Sequence, residues 1–106
     1  MVEEQTLRQV VARIVDAAHP SRVILFGSYG RGDADEGSDV DLMVIKPTVD
    51  DRGEEMLGLY RTVGPIGVGV DVLLYSEAEF ERRSQVPGTV LYWALKEGRA
   101  LYESKP

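Results

Sequence analysis

An α+β fold is predicted: a small mixed β-sheet of three or more strands flanked by about four helices. Three observations point to it. Three apolar runs of strand length fall at residues 23–26, 39–45 and 68–75. Segments with helical periodicity stand before the first run, between the second and third, and after the third. The helix between the second and third runs makes those two strands parallel neighbours, joined by a right-handed crossover.

In chain order, residues 3 to about 18 read as an amphipathic helix. Leu7, Val10, Val11, Ile14 and Val15 follow the i, i+3, i+4, i+7, i+8 pattern. Glu3 and Glu4 favour its amino end, and His19-Pro20 ends it, with His19 expected as a loop or cap residue. The first strand, Val23-Ile24-Leu25-Phe26, stops at Gly27-Ser28, where a new helical turn can begin. In the loop at 30–38, Asp33, Asp35 and Glu36 read as solvated surface, and Tyr29 before it is expected to be exposed. The second strand opens with Asp39-Val40-Asp41 and closes at Lys46-Pro47. Asp50 or Asp51 then caps a helix over about 52–63 whose Met56, Leu57, Tyr60 and Val63 are expected to face the core.

Gly64-Pro65-Ile66-Gly67 breaks that helix before the third strand. Ser76 and Glu79 have the spacing of a capping box at the start of a short helix ending near Arg83. After the break at Val86-Pro87-Gly88, a last helix at 89–96 is expected to bury Val90, Leu91, Trp93, Ala94 and Leu95 in part, with Trp93 assigned to the core. Gly98 ends it, and Ala100-Leu101-Tyr102 reads as a short extended tail. No repeat, linker or low-complexity stretch interrupts residues 1–106, so one domain is expected.

The totals are those of an ordinary water-soluble chain: 106 residues, 43% hydrophobic and 28% charged. With no cysteine there is neither a disulfide nor a thiolate metal site. No apolar signal core or run of membrane-spanning length is present, and a cytoplasmic location is expected. The formal net charge of −6 argues against a broad nucleic-acid surface. It leaves room for a triphosphate, because a metal brings its own positive charge.

The chemistry lies in residues 23–46. Asp39 and Asp41 are two apart on a strand, so they share a face about 6.7 Å apart. At an effective dielectric of ~20 their charges repel by about 2.5 kcal/mol, which a bridging cation relieves. Hard oxygen ligands with room for phosphate and water suit Mg²⁺ better than an all-protein calcium cage. Gly27 lets backbone approach a ligand closely, and Ser28 offers a hydroxyl and an N–H at the start of a helical turn. Asp71 is the one charge in the third apolar run, costly there unless exposed, paired or coordinated. A metal site needs the end of the first strand beside the start of the second, so those two should be antiparallel. The parallel third strand then brings Asp71 to the same edge.

The stretch GSYGRGDADEGSDVD has the form G-S, ten residues, D-x-D. It resembles the nucleotidyltransferase superfamily that includes DNA polymerase beta, and more narrowly the minimal nucleotidyltransferases. The Arg31-Gly32 pair matches that group's usual form, and Asp71 matches its third aspartate. The resemblance implies a nucleotidyltransferase fold and transfer of a nucleoside monophosphate, AMP from ATP, to a hydroxyl. It places Asp39, Asp41 and Asp71 on two Mg²⁺ ions as catalytic and metal residues. Gly27 and Ser28 would lie on the phosphates. Arg31 would reach the phosphates or brace its own loop on a neighbouring carboxylate.

The resemblance also implies a HEPN-type toxin as partner, with this chain as its antitoxin, modifying a partner tyrosine. A homo-oligomer that completes the acceptor site is the other assembly it allows. Two further readings stand beside this one. One is a small-molecule enzyme similar to aminoglycoside-modifying nucleotidyltransferases. The other is a non-catalytic antitoxin that acts by binding alone.

Overall fold

The computed structural model describes residues 1–104. The elements run α1 (Glu4–Ala18), β1 (Arg22–Phe26), α2 (Gly27–Arg31), β2 (Val40–Lys46), α3 (Arg52–Val63), β3 (Val70–Ser76), α4 (Glu77–Arg83), α5 (Val90–Glu97) and β4 (Arg99–Glu103). The sheet order is β3-β2-β1-β4. β1 is antiparallel to both β2 and β4, and β2 is parallel to β3 across the α3 crossover. The expected mixed sheet is therefore present, with one strand and one helix more than the sequence spelled out.

Strand alternation divides the core in two. Val23, Leu25, Val40, Leu42, Val44, Val72 and Leu74 face α1 and α3, where they meet Leu7, Val10, Val11, Ile14, Leu59 and Val63. Ile24, Met43 and Ile45 face the other way, onto Phe80 of α4 and Leu91 and Ala94 of α5. Asp41 and Asp71 continue this second, thinner face, because two-residue steps from Met43 and Leu73 reach them. The carboxylates thus lie where the α4–α5 layer stops covering the sheet.

The expected tail at 100–102 is an edge strand. Tyr102 pairs with Val23 and Ala100 with Ile24 across a bulge, and Ser104 N–H donates to Ser21 O at 2.8 Å. Five residues with no fully buried member carry too little apolar alternation to announce a strand by themselves.

Six side chains depart from expectation. Leu57 and Tyr60 are exposed, and Leu59 takes the core position, because the buried stripe of α3 runs through Met56, Leu59 and Val63. The Tyr60 hydroxyl instead accepts from Val72 N–H at 2.9 Å. Trp93 is 51% exposed, with Val90 and Leu95 also open, since α5 turns only Leu91 and Ala94 inward. Tyr29 is half-buried: its ring packs on the larger core and its hydroxyl accepts from Val2 N–H at 3.0 Å.

The helix ends are secured locally. His19 closes α1 in the left-handed region (φ 49°), its N–H donating to Val15 O. The Asp51 carboxylate caps α3 on Glu54 N–H, and Arg13 of α1 donates to the orphan carbonyls of Thr62 and Val63 at its far end. Lys46 pairs with Glu55, whose other oxygen accepts from Asp50 and Asp51 N–H.

At the head of α4, Ser76 Oγ accepts from Glu79 N–H at 3.1 Å and Glu79 Oε1 accepts from Ser76 N–H at 3.0 Å, the predicted capping box. Ser76→Ala is expected to cost about 1 kcal/mol. The thermal midpoint should fall by roughly 5 °C, read by circular dichroism. An unchanged midpoint would show that the box contributes nothing.

Candidate active site

β1 delivers the turn and β2 the carboxylates. The antiparallel register sets Phe26 opposite Asp41, and the parallel register sets Asp41 opposite Asp71. Cross-strand partners share a face, so Phe26, Asp41 and Asp71 form one row across three strands. Asp39 lies one residue before β2, on the same face as Asp41 by the two-residue period.

The turn approaches from the other side. Gly27 has φ 65°, a left-handed conformation that side chains disfavour, and it opens α2. A Cβ placed there would overlap Asp41 Oδ2 and lie 3.2 Å from Asp41 Cγ. Only a glycine therefore lets the turn close over that carboxylate. Gly30 is similarly tight: its Cβ would stand 2.9 Å from the Leu25 carbonyl carbon. Gly32 N–H caps the helical turn on Ser28 O and Tyr29 O, and Asp33 N–H adds a 3.0 Å bond to Ser28 O. The first N–H groups of α2 have no intrahelical partner.

Asp41 is half-buried, whereas Asp39 and Asp71 are exposed. Burial, first, then the negative charges of Asp71 and Asp39, push the Asp41 carboxyl above its ordinary value. The adjacent Asp71 carboxyl, on the cross-strand partner of Asp41, adds a further upward push. The Arg31 charge opposes the shift. Arg31 itself pairs with Asp33 at 3.4 Å, which is the bracing role weighed for it above. The pair is exposed and only two residues apart in sequence, so it contributes little stability.

Asp39 packs against backbone. A Cβ on Gly69 would lie 2.9 Å from Asp39 Cγ, and Val40 N–H donates to Gly69 O at 2.9 Å. Gly69 was missed by the sequence reasoning. Its signal was present: a lone glycine inside a strand-like run marks close approach of a neighbour.

These residues fit a divalent cation of open coordination. Among the described residues, no three or more His, Cys, Asp or Glu side chains close on one ion position by themselves. The close pair is Asp41 with Asp71, and Asp39 flanks it. Concentrated negative charge, with Arg31 the one positive charge that lowers the Asp41 carboxyl, calls for a cation. A cation held by two or three protein oxygens takes its remaining ligands from phosphate and water, the habit of Mg²⁺.

A glycine turn against a carboxylate row on a mixed sheet is the arrangement expected of a nucleotidyltransferase. The nucleotidyltransferase domain family matches residues 5–102, and the chain belongs to that family. Two proteins of Methanocaldococcus jannaschii, each named "putative protein adenylyltransferase", are similar to it. One is 29% identical over 113 residues, spanning 96% of this chain and all of that one. The other is 71% identical over 24 residues, 23% of this chain and 24% of that one. A crystal structure described as a "putative nucleotidyltransferase" from Sulfolobus solfataricus superposes with TM-score 0.65 at 19% identity, covering 93% of this chain and 78% of that one. A crystal structure of a toxin–antitoxin with AMP-PNP gives TM-score 0.59 at 21% identity, covering 92% and 74%. At those identities the two structures share the fold.

Proposed function

We propose that this nucleotidyltransferase transfers AMP from ATP to a tyrosine hydroxyl of a HEPN-type toxin, acting in the cytoplasm as its antitoxin. The observation that carries the reading is the contact of the Gly27 turn with Asp41, whose cross-strand partner is Asp71. The protein-adenylyltransferase name of the full-length relative and the toxin–antitoxin neighbour holding AMP-PNP support the choice of substrate and partner.

The acceptor oxygen would attack the α-phosphorus. The bond from that phosphorus to the α,β-bridging oxygen would break, and pyrophosphate would leave. Gly27 and Ser28 N–H groups at the start of α2 receive the β- and γ-phosphates, where N–H donors face an anion at no reorganisation cost. Asp39 and Asp41 would hold one Mg²⁺ for the triphosphate, and Asp39, Asp41 and Asp71 together would hold a second for the acceptor hydroxyl. Bound there, the cation supplies neutralisation of developing charge and a more acidic acceptor hydroxyl. Asp71, exposed at the β3 side of the row, accepts the hydroxyl proton. Arg31 stays on its loop carboxylate, Asp33, and tempers the Asp41 charge.

The test is incubation with a HEPN-type protein from the same genome, ATP and Mg²⁺, followed by intact mass and peptide mapping. The expected result is one AMP on a partner tyrosine, lost in Asp71→Asn. AMP on an aminoglycoside instead would move the acceptor to small molecules. Neutralisation by Asp39→Asn equal to wild type, with no mass change, would mean that contact alone inhibits.

A further inference from the structure

A second concavity adjoins the carboxylates. It is an open cleft of about 520 Å³ on the α5 side of β1, within the usual size of a small-molecule site. Its lining includes Phe26, Gly27, Arg31, Val90, Trp93 and Glu97. Two of these also belong to the site described above. Phe26 is the cross-strand partner of Asp41, and Gly27 is the glycine closed over the Asp41 carboxylate. A ligand whose phosphates lie on the Gly27 turn therefore has its remaining atoms within reach of this cleft.

The other large groove, between α1 and β4, does not share this continuity. It is bordered by the Arg99–Glu4 ion pair at 2.7 Å and contains neither the Gly27–Ser28 turn nor the carboxylate row.

The cleft has the chemistry of a stacking site. Trp93 turns half of its surface to solvent, though α5 had two inward positions that Leu91 and Ala94 fill. Its ring is held at 90° to Tyr92, centroids 5.2 Å apart, so its orientation is braced from one edge. Val90, also exposed, and Phe26 extend the apolar wall. Glu97 and Arg31 bring one acceptor and one donor group to the rim. A flat, weakly polar ring system with exocyclic donors and acceptors is the complement of such a wall.

We propose that this cleft is the nucleobase subsite, with the base of the bound nucleotide stacked on Trp93. The proposal rests on the nucleotide-transfer reading and adds to it where the base lies. Stacking on an aromatic ring contributes ~1–3 kcal/mol per base, which is roughly 5- to 150-fold in affinity.

Trp93 is the chain's one tryptophan, so its emission reports on this cleft alone. The experiment titrates the full chain with Mg²⁺ and either AMP-PNP or tripolyphosphate, the latter being the same anion without a base. AMP-PNP should quench or shift the Trp93 emission saturably. Tripolyphosphate should compete with it while leaving the emission near its free value. By calorimetry, Trp93→Ala should weaken AMP-PNP about tenfold or more and leave tripolyphosphate unchanged, and Trp93→Phe should recover part of the loss.

AMP-PNP binding that is equally tight in wild type and Trp93→Ala, with no change in wild-type emission, would overturn the subsite. Loss of partner binding in Trp93→Ala at unchanged nucleotide affinity would overturn it too, and assign the cleft to the partner protein. If neither anion binds the wild type, the nucleotide-transfer reading falls together with this one. Should Trp93→Ala fail to fold, the wild-type emission and the Phe variant decide.

Discussion

Asp41→Asn is expected to abolish AMP transfer and, in the same protein without metal, to raise the melting temperature. Both effects come from one side chain. Asp41 is half-buried beside Asp71 and Asp39, and its carboxyl is raised by burial first and by those two charges next. A carboxyl whose folded pKa exceeds its unfolded value binds its proton longer in the native state. Above the folded pKa the ionised group therefore costs stability, and the cost fades as pH falls through that pKa. The stability gap between Asp41→Asn and wild type should be widest near neutrality and close on acidification.

Glu55, held below its ordinary value chiefly by the Lys46 hydrogen bond, and Glu79, held down first by the Ser76 N–H, work in the opposite sense. Their contributions are lost as pH falls through their folded pKa values. Because both remain in the variant, the difference between the two melting curves isolates Asp41.

Active-site relief of this kind commonly yields ~0.5–2 kcal/mol, here several degrees. Mg²⁺ at 100 times its dissociation constant should add about 2.7 kcal/mol to wild type and far less to the variant. Activity should fall by at least the ~10²–10³-fold that one lost transition-state electrostatic contact costs. Thermal scans from about pH 3 to 8 with Mg²⁺ or chelator, beside an AMP-transfer assay near neutrality, make the measurement. A variant that melts lower than wild type without metal would refute the strained-carboxylate account. One that transfers AMP at the wild-type rate would refute the metal assignment.

The parts of the chain legible in advance were those where one residue type has one physical use. Gly27-Ser28 after an apolar run, Asp39-Val40-Asp41 opening another, and Asp71 alone in a third carry their geometry in the strand period. Chain order then fixed the sheet: β1 antiparallel to β2 and β2 parallel to β3, as the topology shows. The Ser76–Glu79 capping box was equally readable, because its two hydrogen bonds depend only on spacing.

What escaped were properties decided by packing between distant segments. Residues 52–63 contain apolar side chains on more than one face, and packing against α1 and the sheet buried Leu59 rather than Leu57. α5 is short enough that its apolar residues exceed the stripe it can bury, which left Trp93 outside. β4 depends on the free edge of β1, 75 residues or so earlier in the chain, and a non-local pairing leaves no local mark. Gly69 had a local mark, but its meaning required knowing that Asp39 would lie over it.

Gly27→Ala is expected to cost both stability and transfer rate. Two penalties combine. An L-residue at φ 65° carries left-handed strain of about 1–2 kcal/mol. The new Cβ also overlaps Asp41 Oδ2, so either the turn lifts or the carboxylate rotates out of its row with Asp71. Displacement of about 1 Å in a reacting constellation costs on the order of 10²-fold in rate, and here it strikes the phosphate turn and the carboxylate together. Gly32→Ala separates the two penalties. Gly32 has φ 83°, close to that of Gly27, yet nothing lies within 4 Å of its Cβ position. It should lose comparable stability and keep most of its transfer rate. A second separation comes from Asp41→Ala, which empties the space the methyl would enter. In that background Gly27→Ala should destabilise by the left-handed strain alone, so the two substitutions should couple by roughly 0.5–3 kcal/mol in a thermal-denaturation cycle. Equal rates for the Gly27 and Gly32 variants, or strict additivity with Asp41→Ala, would mean that the turn and the carboxylate do not meet.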